Sequence, residues 1–148
     1  MSHLKITPLN AVYNSGRSRS FIKIQDGCDK KCTYCVIPSI RGASRSLSAR
    51  DIIDTIATHV DMGADEIVLT GVRIGSWGRD LDPKDSLSDL VTYIRDYTNL
   101  ERIRLGSLEP WELNENLADL IVNDRRSYAC AITTYTPCGF ETYGKTKS

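Results

Sequence analysis

Apolar and polar positions along the 148 residues follow two different periods in turn. Short runs of alternating or clustered apolar residues predict strands, and longer segments with an apolar residue every three or four positions predict amphipathic helices. The predicted elements, in chain order, are a strand over 20–25, a helix over 48–63, a strand over 66–71, a helix over 86–99, a strand over 101–107 and a helix over 112–124. This alternation predicts an α/β protein with a parallel sheet and crossover helices.

The same pattern divides the chain into three parts. Residues 1–20 are expected to form a polar lead-in, residues 21–124 carry the three strand–helix units, and residues 125–148 form an aberrant tail without a clear period. In a barrel or part-barrel of such units, the chemistry lies where strands end and helices begin. The loops at that edge are 26–47, 71–85 and 107–111.

Charge is unevenly spread although the net charge is zero. Residues 1–50 hold nine Lys and Arg against two acidic residues, whereas residues 51–124 hold six against sixteen. A basic first third favours an anionic partner near the first loop, and a solvated surface with chance asymmetry is the alternative.

No apolar run approaches the length of a membrane span, and the first twenty residues lack the apolar segment of a secretory signal. We therefore expect a cytoplasmic chain without a membrane partner, in which cysteines stay reduced.

Three cysteines lie in the stretch GCDKKCTYC, residues 27–35. Cys28, Cys32 and Cys35 have the spacing C-x3-C-x2-C, and thiolates suit an iron–sulfur cluster or zinc. A cluster of four irons held by three cysteines keeps one iron open to a substrate or cofactor, as a catalytic zinc keeps one position open. The spacing therefore favours a [4Fe–4S] cluster.

Zinc and plain thiols are the alternatives. Zinc prefers four ligands, and Cys130 and Cys138 lie about a hundred residues away in the tail. The two histidines are His3 and His59, and His59 lies beside the apolar face of a predicted helix, where packing is the more common role. Buried or redox-active cysteines without metal are the third interpretation.

The sequence around the cysteines indicates a family more specifically than the cysteine spacing does. The stretches FIKIQDGCDKKCTYCVIPSIRGASRS, EIVLTGVRIGSWG and RIRLGSLEP resemble the radical S-adenosylmethionine (SAM) methylthiotransferases over roughly residues 17–124. The nearest branch acts on N6-threonylcarbamoyladenosine at position 37 of tRNA. The resemblance implies the first three βα units of a (β/α)6 partial TIM barrel. Alternatives are a branch acting on isopentenyladenosine or a ribosomal protein, another radical SAM enzyme, and a non-catalytic iron–sulfur fragment.

The resemblance also implies a set of site residues. The implied cluster ligands are Cys28, Cys32 and Cys35. SAM would chelate the open iron, Tyr34 would contact its adenine through the backbone, and Thr70 and Gly71 would receive its methionine amino group. One electron from the cluster would cleave SAM, and the resulting radical would take hydrogen from carbon 2 of the target adenine. The implied partners are tRNA and an electron donor such as flavodoxin or ferredoxin.

Three further residues at the loop edge are candidates on chemical grounds. Gly71 and Gly75 lack side chains, so that backbone can approach a ligand, although an ordinary turn explains them too. Glu109 follows the third strand, where its carboxylate would accept hydrogen bonds from ribose hydroxyls or close the loop through a salt bridge.

Two pairs of side chains have competing interpretations. Arg41 and Arg45 would contact tRNA phosphate or the SAM carboxylate, or lie in solvent. Trp77 and Trp111 would stack on a base, although packing is the favoured interpretation for both.

The chain departs from the family's pattern in three ways. We expect it to be without the N-terminal domain that holds a second cluster, the C-terminal RNA-binding domain, and about three further βα units. We therefore expect a truncated fragment that does not methylthiolate tRNA. Our hypothesis for the tail is that its codons are read out of frame.

Overall fold

Strands and helices alternate along the part of the chain that the computed structural model describes, which is residues 19–124 and residue 126. The elements are β1 Arg19–Asp26, α1 Ile37–Arg41, β2 Arg45–Ser46, α2 Ala49–Asp61, β3 Glu66–Gly71, α3 Leu87–Tyr97, β4 Arg102–Leu105 and α4 Glu115–Asn123. Short 3-10 turns at Ile74–Ser76 and Pro110–Glu112 follow β3 and β4. The other residues of the predicted lead-in and tail lie outside the described residues.

The sheet has the strand order β2-β1-β3-β4. β1, β3 and β4 are parallel, so that Ile22 pairs with Leu69 and Leu69 pairs with Leu105. This confirms the three predicted strands and their parallel pairing. The fourth strand, β2, was not predicted. It pairs antiparallel with the end of β1.

Side-chain caps set the starts of the three longer helices. Ser48 accepts a hydrogen bond from the Asp51 backbone N–H ahead of α2, and Ser86 forms a capping box with Asp89 ahead of α3. Asn114 caps α4, which therefore begins three residues later than the predicted 112. These caps satisfy N–H groups that have no partner within a helix. Among the described residues, no helix is long and apolar enough to cross a bilayer.

Alternation along the strands creates the core. Successive strand side chains point to opposite faces, so one face of the sheet collects the apolar residues and packs against the helices. The strand residues of this core are Ile22, Ile24, Ile67, Leu69, Ile103 and Leu105, and the helix residues include Ile52, Ile56, Leu90, Val91 and Ile94. The core therefore holds the carboxyl ends of β1, β3 and β4 side by side, and the three candidate loops leave from that edge.

Candidate functional site

The cysteine loop begins with a close backbone approach at Gly27. This residue has φ of 71°, and a Cβ there would lie 2.0 Å from the carbonyl oxygen of Ala43. The next residue, Cys28, donates its backbone N–H to the Gly42 oxygen at 3.0 Å. A side chain at Gly27 is therefore excluded by both its backbone conformation and its neighbour. The start of the loop is fixed against residues 42–43.

The three cysteines are free thiols, and each is partly exposed. The Cys35 backbone N–H donates to the Cys32 carbonyl oxygen at 3.1 Å. This bond forms a turn between the second and third expected cluster ligands. Within residues 19–124 and 126, the structure gathers no group of three or more His, Cys, Asp or Glu side chains that could hold a metal ion. The thiols thus share one loop without a preformed metal geometry. Cys130 and Cys138 lie outside the described residues.

The chemistry of this donor set nevertheless fits an iron–sulfur cluster. Thiolates are the usual ligands of such clusters, and these are reduced and reachable from solvent. Metal binding is coupled to the folding of its site, so that the metal itself helps to bring the ligands together. The assignment of Cys28, Cys32 and Cys35 as ligands stays a prediction.

Gln25 connects the cysteine loop to the loop after β3. Its side chain is fully buried, and its amide nitrogen lies 2.8 Å from the Gly27 oxygen and 2.9 Å from Ser44 Oγ. Its amide oxygen accepts a hydrogen bond from the Arg73 backbone N–H at 2.7 Å. Gln25 is not predictable as a site residue from the sequence, because a polar residue in an alternating strand gives no sign of such contacts.

Asp26 forms a second fixed point where β1 ends. Its carboxylate accepts a hydrogen bond from the Gly27 N–H at 2.9 Å and pairs with Lys23 at 2.7 Å and Arg41 at 3.2 Å. Burial alone would raise the pKa of Asp26, but the bonds from Lys23, Gly27 and Arg41 together lower it. Arg41 therefore has a protein partner here, and Arg45 donates to the Arg41 carbonyl oxygen at 3.3 Å.

Protein atoms fill the space beside Gly71 and Gly75. A Cβ at Gly71 would lie 2.8 Å from the Gln25 carbonyl oxygen, and a Cβ at Gly75 would lie 2.2 Å from Glu112 Oε2. Both distances are too short for a side chain. Close packing within the chain is thus a structural reason for each glycine, and their contact with SAM stays a prediction.

Thr70 and Tyr34 occupy different settings. The Thr70 hydroxyl donates to the Ile22 carbonyl oxygen at 3.3 Å across β1 and β3. The side chain of Tyr34 is 61% exposed. The contacts of Thr70 and Tyr34 with SAM stay predictions.

Glu109 contributes a buried oxygen without a partner. Arg73 forms the ion pair of this region with Glu112, at 2.5 Å between Nε and Oε1, so the expected loop-closing salt bridge involves Glu112 instead. Among the described residues, Glu109 Oε2 is buried and accepts no hydrogen bond. Burial and the charge of Glu112 raise the pKa of Glu109, and Arg73 acts against them. A buried acceptor without a hydrogen bond lowers the stability of the fold unless a donor, such as a ligand hydroxyl, binds to it.

The two tryptophans differ. Trp77 is fully buried and donates its indole N–H to the Leu47 oxygen at 2.9 Å, which confirms packing as its role. Trp111 is 59% exposed. His59 lies buried on α2, as expected of a packing residue.

Comparison with known proteins defines the class. The model of the radical SAM superfamily matches residues 22–113, and the chain belongs to that superfamily. A solved structure of the radical SAM methyltransferase TsrM from Kitasatospora setae, which contains cobalamin and a [4Fe-4S] cluster, superposes with a TM-score of 0.56 at 18% identity. The match covers 77% of this chain and 22% of that one. At this identity the likeness supports the fold alone, and it confirms the predicted partial barrel.

The relatives in sequence are methylthiotransferases. A Helicobacter pylori (strain J99) protein with a provisional methylthiotransferase name is 42% identical over 109 residues, which is 74% of this chain and 26% of that protein. Threonylcarbamoyladenosine tRNA methylthiotransferase MtaB of Chlamydia pneumoniae is 39% identical over 76% of this chain and 26% of its own length. The tRNA-2-methylthio-N(6)-dimethylallyladenosine synthase of Clostridium tetani is 36% identical over 68% and 22%. The chain spans about a quarter of the length of these relatives, and the expected family resemblance is confirmed.

Proposed function

We propose that this chain supplies the radical SAM part of a tRNA methylthiotransferase. The observation that carries the proposal is the C-x3-C-x2-C loop of free thiols, which leaves the carboxyl end of the first strand of a radical SAM sheet. Cys28, Cys32 and Cys35 would hold a [4Fe–4S] cluster, and the open iron would take SAM. The reduced cluster would supply the electron that cleaves SAM. The protein would position the cluster and SAM and exclude water from the site.

The substrate we propose is N6-threonylcarbamoyladenosine at position 37 of tRNA. The relatives from Chlamydia pneumoniae and Rickettsia prowazekii, at 39% and 36% identity, are named for that nucleoside. Dimethylallyladenosine is the second candidate, because relatives named for it are 32–36% identical. We also propose a cytoplasmic location, because tRNA and reduced thiols are typical of that compartment. The electron donor that we propose is flavodoxin or ferredoxin.

Three residues of the chain would position these groups. Gln25 and Asp26 hold the start of the cysteine loop through buried hydrogen bonds, and so limit where the cluster sits. Glu109 Oε2 would accept hydrogen bonds from the ribose hydroxyls of SAM, which would give that buried oxygen its missing donor.

Substitution of Glu109 tests this last assignment. We expect Glu109→Ala to weaken SAM binding about tenfold or more, because a hydrogen bond to a charged acceptor contributes about 1.5–3 kcal/mol. Equilibrium dialysis with radiolabelled SAM on the reconstituted chain measures this. Glu101→Ala, at an exposed residue before β4, is the matched control. Equal affinities for the two variants would remove Glu109 from the site.

The activity is tested by isotope transfer. The reconstituted chain is incubated without oxygen with dithionite, SAM and an anticodon stem-loop whose N6-threonylcarbamoyladenosine carries deuterium at carbon 2. The proposal predicts that deuterium appears in released 5′-deoxyadenosine although no methylthio product forms, and that less deuterium appears when the stem-loop carries equally labelled isopentenyladenosine or adenosine. Iron and SAM binding without any 5′-deoxyadenosine would favour a non-catalytic iron–sulfur fragment.

A further inference from the structure

A second feature lies beside the cysteine loop, and none of the residues proposed above to hold the cluster or SAM lines it. It is a cavity of about 430 Å³ between that loop and the segment after β3. Its lining includes Asp29, Lys30, Ser44, Arg73, Arg79 and Asp80. We call it the loop cavity.

The acidic residues of the loop cavity are occupied by the chain itself. Asp29 Oδ1 accepts the Ser44 backbone N–H at 3.0 Å. Asp80 binds Ser46 twice, accepting its N–H at 2.7 Å and its hydroxyl at 2.6 Å. These bonds hold β2 to the segment after β3 and hold Ser44, the residue before β2, to the cysteine loop. Both carboxylates therefore have a structural role.

The basic residues of the loop cavity fall into two groups. Arg73 is committed to its ion pair with Glu112. Lys30 and Arg79 form no ion pair or side-chain hydrogen bond with any residue in the described part of the chain, and both are exposed. Two uncommitted cations therefore border a concave site of a size that admits a phosphate group.

We infer that Lys30 and Arg79 bind a backbone phosphate of the RNA near its target nucleoside. The inference rests on the proposed function, because the target base must reach the cysteine loop and its flanking phosphates must then lie beside that loop. Lys30 stands within the loop, two residues after Cys28. The +7 charge of residues 1–50 would attract the same backbone from further away.

Binding of an unmodified anticodon stem-loop to the full chain tests the inference, measured by fluorescence anisotropy from low to moderate salt. Each of Lys30→Gln and Arg79→Gln should weaken binding severalfold and reduce the slope of log affinity against log salt by about one. The double variant should reduce that slope by about two. Lys84→Gln removes an exposed charge outside both the loop cavity and residues 1–50, and should leave the slope within about half of one unit.

Several results would overturn the inference. These are no RNA binding by the parent chain, slopes unchanged in both variants, or an equal loss in the Lys84→Gln control. Loss of binding to polyglutamate but not to RNA would assign the cavity to an acidic protein instead. Arg79 lies outside the cysteine loop, so its variant stays informative if Lys30→Gln disturbs that loop. SAM cleavage without RNA, measured on the same variants, separates failure of this site from failure of the proposed function.

Discussion

Alanine in place of any one of Cys28, Cys32 or Cys35 is expected to abolish assembly of a four-iron cluster. The parent chain, reconstituted with iron and sulfide, should contain about four irons, because three thiolates on one loop can hold one cubane. Two remaining thiolates cannot hold it stably. Iron and sulfide analysis after gel filtration measures the result.

Matched controls come from the other cysteines. Cys130→Ala and Cys138→Ala should each keep the full iron content, since the proposed site does not use them. The far-ultraviolet circular dichroism of all five variants should match the parent, because the three loop thiols lie outside the apolar core. Tight zinc binding without iron uptake would contradict the assignment, as would a loop variant that retains four irons.

Trp77→Ala should lower the free energy of unfolding by about 3–5 kcal/mol, the usual cost of removing a buried tryptophan. Trp77 is fully buried in the cluster that joins the sheet to its helices, and its indole N–H binds the Leu47 oxygen. The variant would leave both a cavity and an unpaired carbonyl oxygen. Urea unfolding followed by circular dichroism measures the loss.

Trp111→Ala is the matched control, because the same side chain is removed at a position that is 59% exposed. It should change the free energy of unfolding by no more than about 0.5 kcal/mol. Equal losses in the two variants would mean that Trp77 does not belong to the core.

Much of the fold was predictable because its elements bury one face at a regular period. The strand predicted over 66–71 has those bounds as β3, and the apolar positions Ile52 and Ile56 lie buried on α2 as their spacing indicated. α1 and β2 were missed for a physical reason. They have five and two residues, too few to show a period, and they form because the chain folds back on the end of β1.

The site was predictable only in part. The cysteine spacing located the loop, since it depends on residues close in sequence. The contacts of Gln25, and the choice of Glu112 instead of Glu109 as the partner of Arg73, depend on three separate loops meeting at one edge. No local pattern encodes such contacts. The same holds for Gly75, whose space is taken by a carboxylate 37 positions later in the chain.

Electron paramagnetic resonance of the reduced, reconstituted chain tests most directly whether three cysteines leave one iron open to SAM. Addition of SAM should change the spectrum of the cluster, and SAM with a ¹⁵N-labelled amino group should add a nitrogen coupling, because that group would bind the open iron. A four-iron cluster whose spectrum is unaffected by SAM, with no coupling to the label, would contradict a radical SAM site in this chain.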